Sequence, residues 1–199
     1  MLEQKLRLSQ ISRETKETAI AVSINLDGSG KATIATGVPF LDHMLDLLAA
    51  HSKLDLEVKA SGDLAVDGHH TVEDIGICLG LALKAALGDK KGIARYGHTL
   101  LPMDESLIAV ALDFSGRGLL AFDVPIPATR VGEFDTELVE EFLRALAVNG
   151  LLTLHVRLLT GKNTHHIIEA VFKALGRALR SAIAVVDPAG GVPSTKGVL

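Results

Sequence analysis

Two stretches of this chain open in the same way: HHTVEDIGICLGLALKAALG at residues 69–88 and HHIIEAVFKALGRALRSAIA at residues 165–184. Each places an acid, Glu73 or Glu169, three residues after its second histidine, and each continues as an apolar run of helical length. A long motif that occurs twice in a chain of 199 residues indicates an internally duplicated structure.

The segments that precede the two motifs also match one another. A half-buried strand, a helix and a short strand are expected in each half, at 18–26, 41–50 and 54–58 in the first and at 108–112, 139–148 and 152–156 in the second. We write the repeated order as strand, strand, helix, strand, helix. It predicts an α+β fold, an internally duplicated sheet-and-helix sandwich in which helices cover one face of a sheet. We take residues 1–92 and 93–199 as the two half-repeats of one compact catalytic domain.

The composition is that of a globular protein with an aliphatic core. Hydrophobic residues make up 48% of the chain, aromatic residues 4%, and the formal net charge is −4 at pH 7. This charge disfavours a nucleic-acid partner, whose binding face is usually basic. The most apolar segment, residues 75–88, is too short to span a bilayer, and residues 1–10 lack the apolar run of a signal peptide. With a single cysteine, Cys78, these features predict a protein of the cytoplasm, or of an organelle stroma after processing, without a nucleic-acid or membrane partner.

The paired histidines predict a metal site. On a helix, residues four apart share a face, whereas adjacent residues diverge by about 100°. The first histidine of each pair therefore shares a face with the glutamate of its motif, while the second, His70 or His166, would serve a different ion. One such pair alone is more typical of a helix cap or a solvated face, but two copies at the same spacing favour a two-metal arrangement.

Two further histidines extend the ligand set. His43 lies on the polar side of its expected helix, and His155 on the polar side of its expected strand; the aligned positions in the other half are Glu141 and Glu57. Imidazole and carboxylate without thiolate suit Mn, Fe, Co or Zn, and an octahedral Mn-like site is preferred. The predicted metal ligands are His43, His69, His70, Glu73, His155, His165, His166 and Glu169.

Basic residues in loops of small residues predict a pocket for phosphate. Arg117 lies in SGRG, Lys196 in PSTKG and Arg95 in KGIARYG. Approachable backbone N–H groups together with cationic side chains are what an oxyanion site uses. Each loop taken alone is more typical of an ordinary surface turn.

The strings GVPFLDHML, HHTVEDIGICLG, SGRG, HHIIEAVFKALGRALR and PSTKG resemble the monofunctional imidazoleglycerol-phosphate dehydratases of histidine biosynthesis, and the likeness extends from Arg13 to Leu199. The resemblance implies a duplicated unit like the second domain of ribosomal protein S5. It also implies two Mn²⁺ ions per active site, and a homo-oligomer, a closed shell of about twenty-four subunits with active sites at subunit interfaces.

The resemblance further implies residue roles. One ion would be held by His43, His70, Glu73 and His166, and the other by His69, His155, His165 and Glu169. The implied catalytic residues are Glu17, His43, His70, Glu73, His166 and Glu169. The implied substrate-binding residues are Glu17, His43, His51, Arg95, Arg117, Lys173, Ser194 and Lys196. From the residues alone, His51 has no feature that distinguishes it from an ordinary helix residue.

The implied reaction is the dehydration of D-erythro-imidazole-glycerol phosphate to imidazole acetol phosphate by a hydro-lyase. The C–H bond next to the ring is too weakly acidic for a carboxylate alone. Two metals on the ring nitrogens would favour an imidazolate and a diazafulvene-like intermediate, with Glu17 as general acid or base. Two alternatives stay open: a dinuclear metal-dependent hydrolase, which would act on esters or peptides, and a metal-storage shell, which would load many ions per chain.

Overall fold

The structure, a computed structural model, describes residues 6–197 and 199. Residues 1–5, part of the segment considered for a targeting signal, lie outside the described residues, as does residue 198. In chain order the elements are β1 (Leu8–Glu14), β2 (Thr18–Asn25), β3 (Ala32–Ala35), α1 (Pro39–Ser52), β4 (Asp55–Gly62), α2 (His69–Leu87), β5 (Tyr96–Met103), β6 (Ser106–Asp113), β7 (Leu119–Asp123), β8 (Arg130–Val131), β9 (Phe134–Asp135), α3 (Leu138–Asn149), β10 (Thr153–Thr160) and α4 (Thr164–Ile183).

The two halves form two four-stranded sheets with equivalent strand orders, β1-β2-β4-β3 and β5-β6-β10-β7. In each sheet the first three strands pair antiparallel, and the last pair, β3 with β4 or β7 with β10, is parallel. The α+β duplication expected from the sequence is confirmed. Each four-stranded sheet has three strands rather than two before the first helix of its half, because edge strands such as β1 are largely exposed and lack a strong apolar alternation.

The four helices lie between the sheets in two crossed pairs. Helix α1 of the first half packs against α4 of the second, and α3 of the second half packs against α2 of the first. The crossings are equivalent: a Cβ atom on Gly176 would lie 2.9 Å from the Leu48 carbonyl oxygen, and one on Gly80 would lie 2.7 Å from the Leu146 carbonyl oxygen. Such close backbone approach requires glycine. The His-His-x-x-Glu helix of each half therefore faces a helix of the other half.

One element has no counterpart in the first half. The β8–β9 hairpin lies between β7 and α3, and it carries the buried side chain of Phe134. This insertion explains why equivalent positions of the two halves are spaced further apart after it than before it. The expected division at 92/93 falls in the segment between α2 and β5. Within the described residues, no helix is both long and apolar enough to cross a membrane.

Candidate active site

A group of metal-ligating side chains forms where α1 crosses α4. His43 on α1 and His165 and Glu169 on α4 each bring one donor atom within 4.8 Å of the others. We call these three residues the ligand cluster. The Glu169 carboxylate lies 3.6 Å from Nε2 of His43 and 3.7 Å from Nε2 of His165, and the Lys173 ammonium stands 3.1 Å from it. Two imidazoles and a carboxylate that converge in this way fit a divalent transition-metal ion.

The ligand cluster differs from the expected partition, which assigned His43 to one ion and both His165 and Glu169 to the other. The physical reason is the crossed pairing of helices, because α1 packs against α4 and not against α2. Spacing along a helix shows which side chains share a face, but it does not show which helices meet.

The start of α4 is fixed by contacts on both sides. The side chain of the N-cap residue Asn163 accepts hydrogen bonds from the backbone N–H groups of His165 at 2.9 Å and His166 at 3.3 Å. The Phe40 ring meets the His165 ring edge-on at 5.4 Å, and Phe134 packs on Phe40 at 5.1 Å. These contacts give the His165 imidazole a defined orientation.

The ring of the second histidine of each pair is perpendicular to the ring of the first and is held by a carboxylate. Adjacent ring planes differ by 88° in the first pair and 89° in the second. Nδ1 of His70 lies 3.0 Å from Asp63, and Nδ1 of His166 lies 2.8 Å from Glu105. These hydrogen bonds raise the pKa of both imidazoles. The hydrogen bond from His166, together with that from the backbone N–H of Asn163, lowers the pKa of Glu105 to about 2. Because Nδ1 is engaged in each ring, Nε2 is the ring nitrogen that these carboxylates leave unoccupied.

Glu17 lies beside His70 in the turn between β1 and β2. Its carboxylate is 3.9 Å from Nδ1 of His70, and 56% of its side-chain surface is exposed. The Thr15 hydroxyl accepts hydrogen bonds from the backbone N–H groups of Glu17 and Thr18, and the Thr18 hydroxyl donates to the buried Asp74 on α2. The turn is thus fixed to α2 while the Glu17 carboxylate faces solvent.

The remaining predicted ligands lie away from the ligand cluster. His69 and Glu73 lie on α2, which packs against α3. His155 lies on the outer face of the second sheet, because its neighbours Leu154 and Val156 are buried beneath the helices while it is exposed. Within one chain the sheet therefore separates His155 from both helix pairs.

One residue of this region was not among the predicted ligands. Glu141 lies in the first turn of α3. It is the position of the second half that is equivalent to His43, because the two are separated by as many residues as the equivalent positions Val58 and Val156. Because the two helix pairs cross equivalently, Glu141 is placed relative to the motif of α2 as His43 is placed relative to the motif of α4. The internal alignment of His43 with Glu141 contained this signal.

Four of the predicted phosphate-binding residues line one cavity, which we call the basic cavity: Arg95, Arg117, Ser194 and Lys196. Arg95 uses its guanidinium within the protein, with Nε and Nη2 donating to Asp113 at 2.7 and 3.0 Å and Nη1 donating to the Pro193 carbonyl at 2.8 Å. Arg95 therefore ties the C-terminal segment, and with it Ser194 and Lys196, to the second sheet.

Four predicted substrate-binding residues lie outside the basic cavity: Glu17 and His43, described above, and Lys173 and His51. Lys173 stands one helical turn after Glu169 and pairs with it. His51 lies in the last turn of α1, where burial, and then the charges of Lys173 and Arg177, lower its pKa. A lowered pKa keeps this imidazole neutral near pH 7.

The basic cavity and the ligand cluster lie far apart within one chain. The backbone N–H of Arg95 donates to the Ala182 carbonyl in the last turn of α4, whereas Glu169 lies near the start of that helix. At a rise of 1.5 Å per residue, the two positions are about 20 Å apart along the helix. One small phosphorylated molecule cannot reach both within a single chain.

Comparisons with known proteins agree with one another. Residues 36–179 match the family model described as imidazoleglycerol-phosphate dehydratase. An imidazoleglycerol-phosphate dehydratase of Desulforamulus reducens is 64% identical and covers 97% of this chain and 98% of its own. The corresponding protein of Desulforudis audaxviator is 63% identical, over 98% of each chain.

Solved structures give the same result. A crystal structure of imidazoleglycerol-phosphate dehydratase from Staphylococcus aureus is 46% identical with a TM-score of 0.82, covering 89% of this chain and 99% of that one. A crystal structure of the Pyrococcus furiosus protein in complex with (S)-C348 is 41% identical, also with a TM-score of 0.82, over 95% of this chain and 100% of that one. This chain therefore belongs to the imidazoleglycerol-phosphate dehydratase family, whose members are hydro-lyases of histidine biosynthesis.

Proposed function

We propose that this chain dehydrates D-erythro-imidazole-glycerol phosphate to imidazole acetol phosphate at a site shared between subunits. Family membership supports the reaction. The observation that carries the sharing is the separation of about 20 Å along α4 between the basic cavity and the ligand cluster. A neighbouring subunit would bring its basic cavity to the ligand cluster within a closed homo-oligomer of about twenty-four subunits. The free, buried thiol of Cys78 suits a reducing cytoplasm.

The first of two Mn²⁺ ions would be held by the ligand cluster, His43, His165 and Glu169, whose donor atoms converge. Three donors leave an octahedral ion with open positions for a further ligand and for substrate. The rings of His70 and His166 stand perpendicular to those of the first histidines of their pairs, and neither residue belongs to the ligand cluster. They would complete ions whose other ligands come from neighbouring subunits.

The second ion would be held by His69 and Glu73 of α2 together with Glu141 of α3. The support is the equivalence of the two helix crossings, which places Glu141 on α3 at the position that His43 has on α1. His155, the ligand expected with His69, lies across the second sheet from these helices, so it would join such an ion only from a neighbouring subunit. Carboxylate and imidazole are both suitable ligands of Mn²⁺.

Bound divalent ions would supply Lewis acidity that favours the deprotonated imidazole ring of the substrate and loosens its departing hydroxyl. The residues of the chain perform the remaining work. The exposed carboxylate of Glu17 would move a proton to or from the substrate. Arg117, Ser194 and Lys196 would hold the phosphate in the basic cavity. Loss of water leaves an enol, which tautomerises to the ketone.

Replacing Arg117 or Lys196 with Ala should weaken substrate binding and leave bound Mn²⁺ unchanged. Each removes one charge-assisted contact to phosphate, which is worth about 1.5–3 kcal/mol, or roughly a 10–150-fold rise in KM. The measurement is KM together with metal content, and Lys91→Ala is the control because Lys91 is an exposed lysine outside the basic cavity. A wild-type KM in both variants would remove the phosphate assignment.

Turnover tests the reaction itself. Metal-stripped protein to which Mn²⁺ is restored should convert the phosphorylated imidazole alcohol to its ketone. Cleavage of esters or peptides without dehydration would favour the dinuclear hydrolase instead. Native mass spectrometry tests the storage alternative, which requires many ions per chain where the proposal requires about two.

A further inference from the structure

The carboxylate of Glu105 connects the second sheet to the start of α4. Glu105 follows β5 in the tight turn before β6. Its Oε1 accepts hydrogen bonds from the backbone N–H groups of Asn163 at 2.8 Å and Lys162 at 3.3 Å. Its Oε2 lies 2.8 Å from Nδ1 of His166. One oxygen is therefore fixed by the backbone, and the other is held against the imidazole.

Asp63 performs the equivalent task in the first half from a different place in the chain. It follows β4 and precedes α2, and its two carboxylate oxygens lie 3.0 and 3.3 Å from Nδ1 of His70. Both second histidines are thus contacted by a carboxylate at the same ring atom.

The duplication shows that these two contacts are not copies of one another. Glu17 is the counterpart of Glu105, since each precedes the first residue of the second strand of its half, Thr18 or Ser106. Glu17 nevertheless lies 3.9 Å from Nδ1 of His70, beyond hydrogen-bond distance, because Asp63 occupies that nitrogen. The same ring contact is thus supplied by different residues in the two halves, and Glu17 remains available for substrate.

We propose that Glu105 and Asp63 are positioning residues that hold His166 and His70 with the ring proton on Nδ1, so that Nε2 presents its lone pair to a metal ion. An ionised carboxylate can only accept hydrogen bonds, so the ring nitrogen facing it must carry the proton. A neutral imidazole has one such proton, which leaves Nε2 as the ligand atom. This inference rests on the proposed metal-dependent function.

The test is Mn²⁺ affinity without substrate, measured by titrating metal-stripped protein and following the EPR signal of the free ion. Asp63→Ala and Glu105→Ala should each weaken binding at one class of site by about 10–100-fold. Asp63→Asn should recover most of the loss, because its amide oxygen can still accept from Nδ1–H. Glu105→Ala also removes the hydrogen bonds from residues 162–163 to Glu105. If that variant does not fold, Asp63→Ala alone tests the inference.

Asp104→Asn is the matched control. Asp104 lies in the same turn as Glu105, with its carboxylate 3.7 Å from Nδ1 of His166, and Asn tolerates its positive φ of 47°. An unchanged affinity here, with losses in the two Ala variants, supports the inference. Equal affinity in wild type and both Ala variants, or equal loss in Asp63→Asn and Asp63→Ala, would overturn it. If the wild type itself binds no Mn²⁺, the proposed function fails as well.

Discussion

Glu17→Gln should lower turnover by at least about 100-fold while assembly and bound Mn²⁺ stay unchanged, because general acid–base catalysis contributes on the order of 10²–10⁴-fold. The amide keeps the size of the side chain but cannot exchange a proton. Glu17 is well placed for that exchange, since its turn is fixed through Thr15 while its carboxylate is exposed.

The measurement is kcat at saturating substrate, with metal content and oligomer mass recorded on the same sample. Glu14→Gln is the control, since Glu14 is an exposed acid at the end of β1 on the same hairpin. If Glu17→Gln turned over substrate at the wild-type rate, proton transfer would have to be reassigned to another group.

Exhaustive chelation at neutral pH should break the oligomer into smaller species and abolish turnover, and added Mn²⁺ should restore both. An ion whose ligands come from more than one subunit adds its binding free energy to assembly, since only the assembled state offers all of its ligands. Light scattering before and after chelation measures the effect, with Mn²⁺-saturated chelator as the control. Metal-free protein that keeps its full mass would place the ions within single subunits.

Acid should act in the same direction as chelation. A protonated imidazole cannot bind a metal, and an ordinary histidine takes up its proton near pH 6.5. Asp63 and Glu105 raise the pKa of His70 and His166 in the metal-free protein, so protons compete with metal at these two rings up to a higher pH than at an ordinary imidazole. Loss of assembly as the pH falls should therefore be followed by light scattering, and added Mn²⁺ should shift it to lower pH because metal and protons compete for the same nitrogens.

Much of this fold could be predicted from the sequence because its signals are local and occur twice. The apolar alternation of β2 and β6 and the long apolar helices after each histidine pair give the element types and the duplication. Edge strands and the short β8–β9 hairpin carry too few buried residues to produce such a pattern. Their positions depend on pairing with strands that are distant in the chain.

In the candidate site too, contacts within one helix could be predicted from the sequence, whereas contacts between helices could not. Which side chains share a helix face follows from helical geometry, and His165 and Glu169 do lie together. Which helices meet is set by tertiary packing, so His43 joined these two instead of the motif of its own half. The strand pattern places His155 on the outer face of its sheet, but it does not distinguish a metal ligand from a solvent-facing histidine.

The most direct test of a shared site is complementation between two inactive chains. Glu169→Gln disables the ligand cluster, and Arg117→Ala combined with Lys196→Ala disables the basic cavity. If each active site takes these two parts from different subunits, co-expression of the two chains should restore about a quarter of wild-type turnover through random assembly. Activity no greater than the sum of the two variants assayed alone would show that both parts act within one chain, and it would contradict the account.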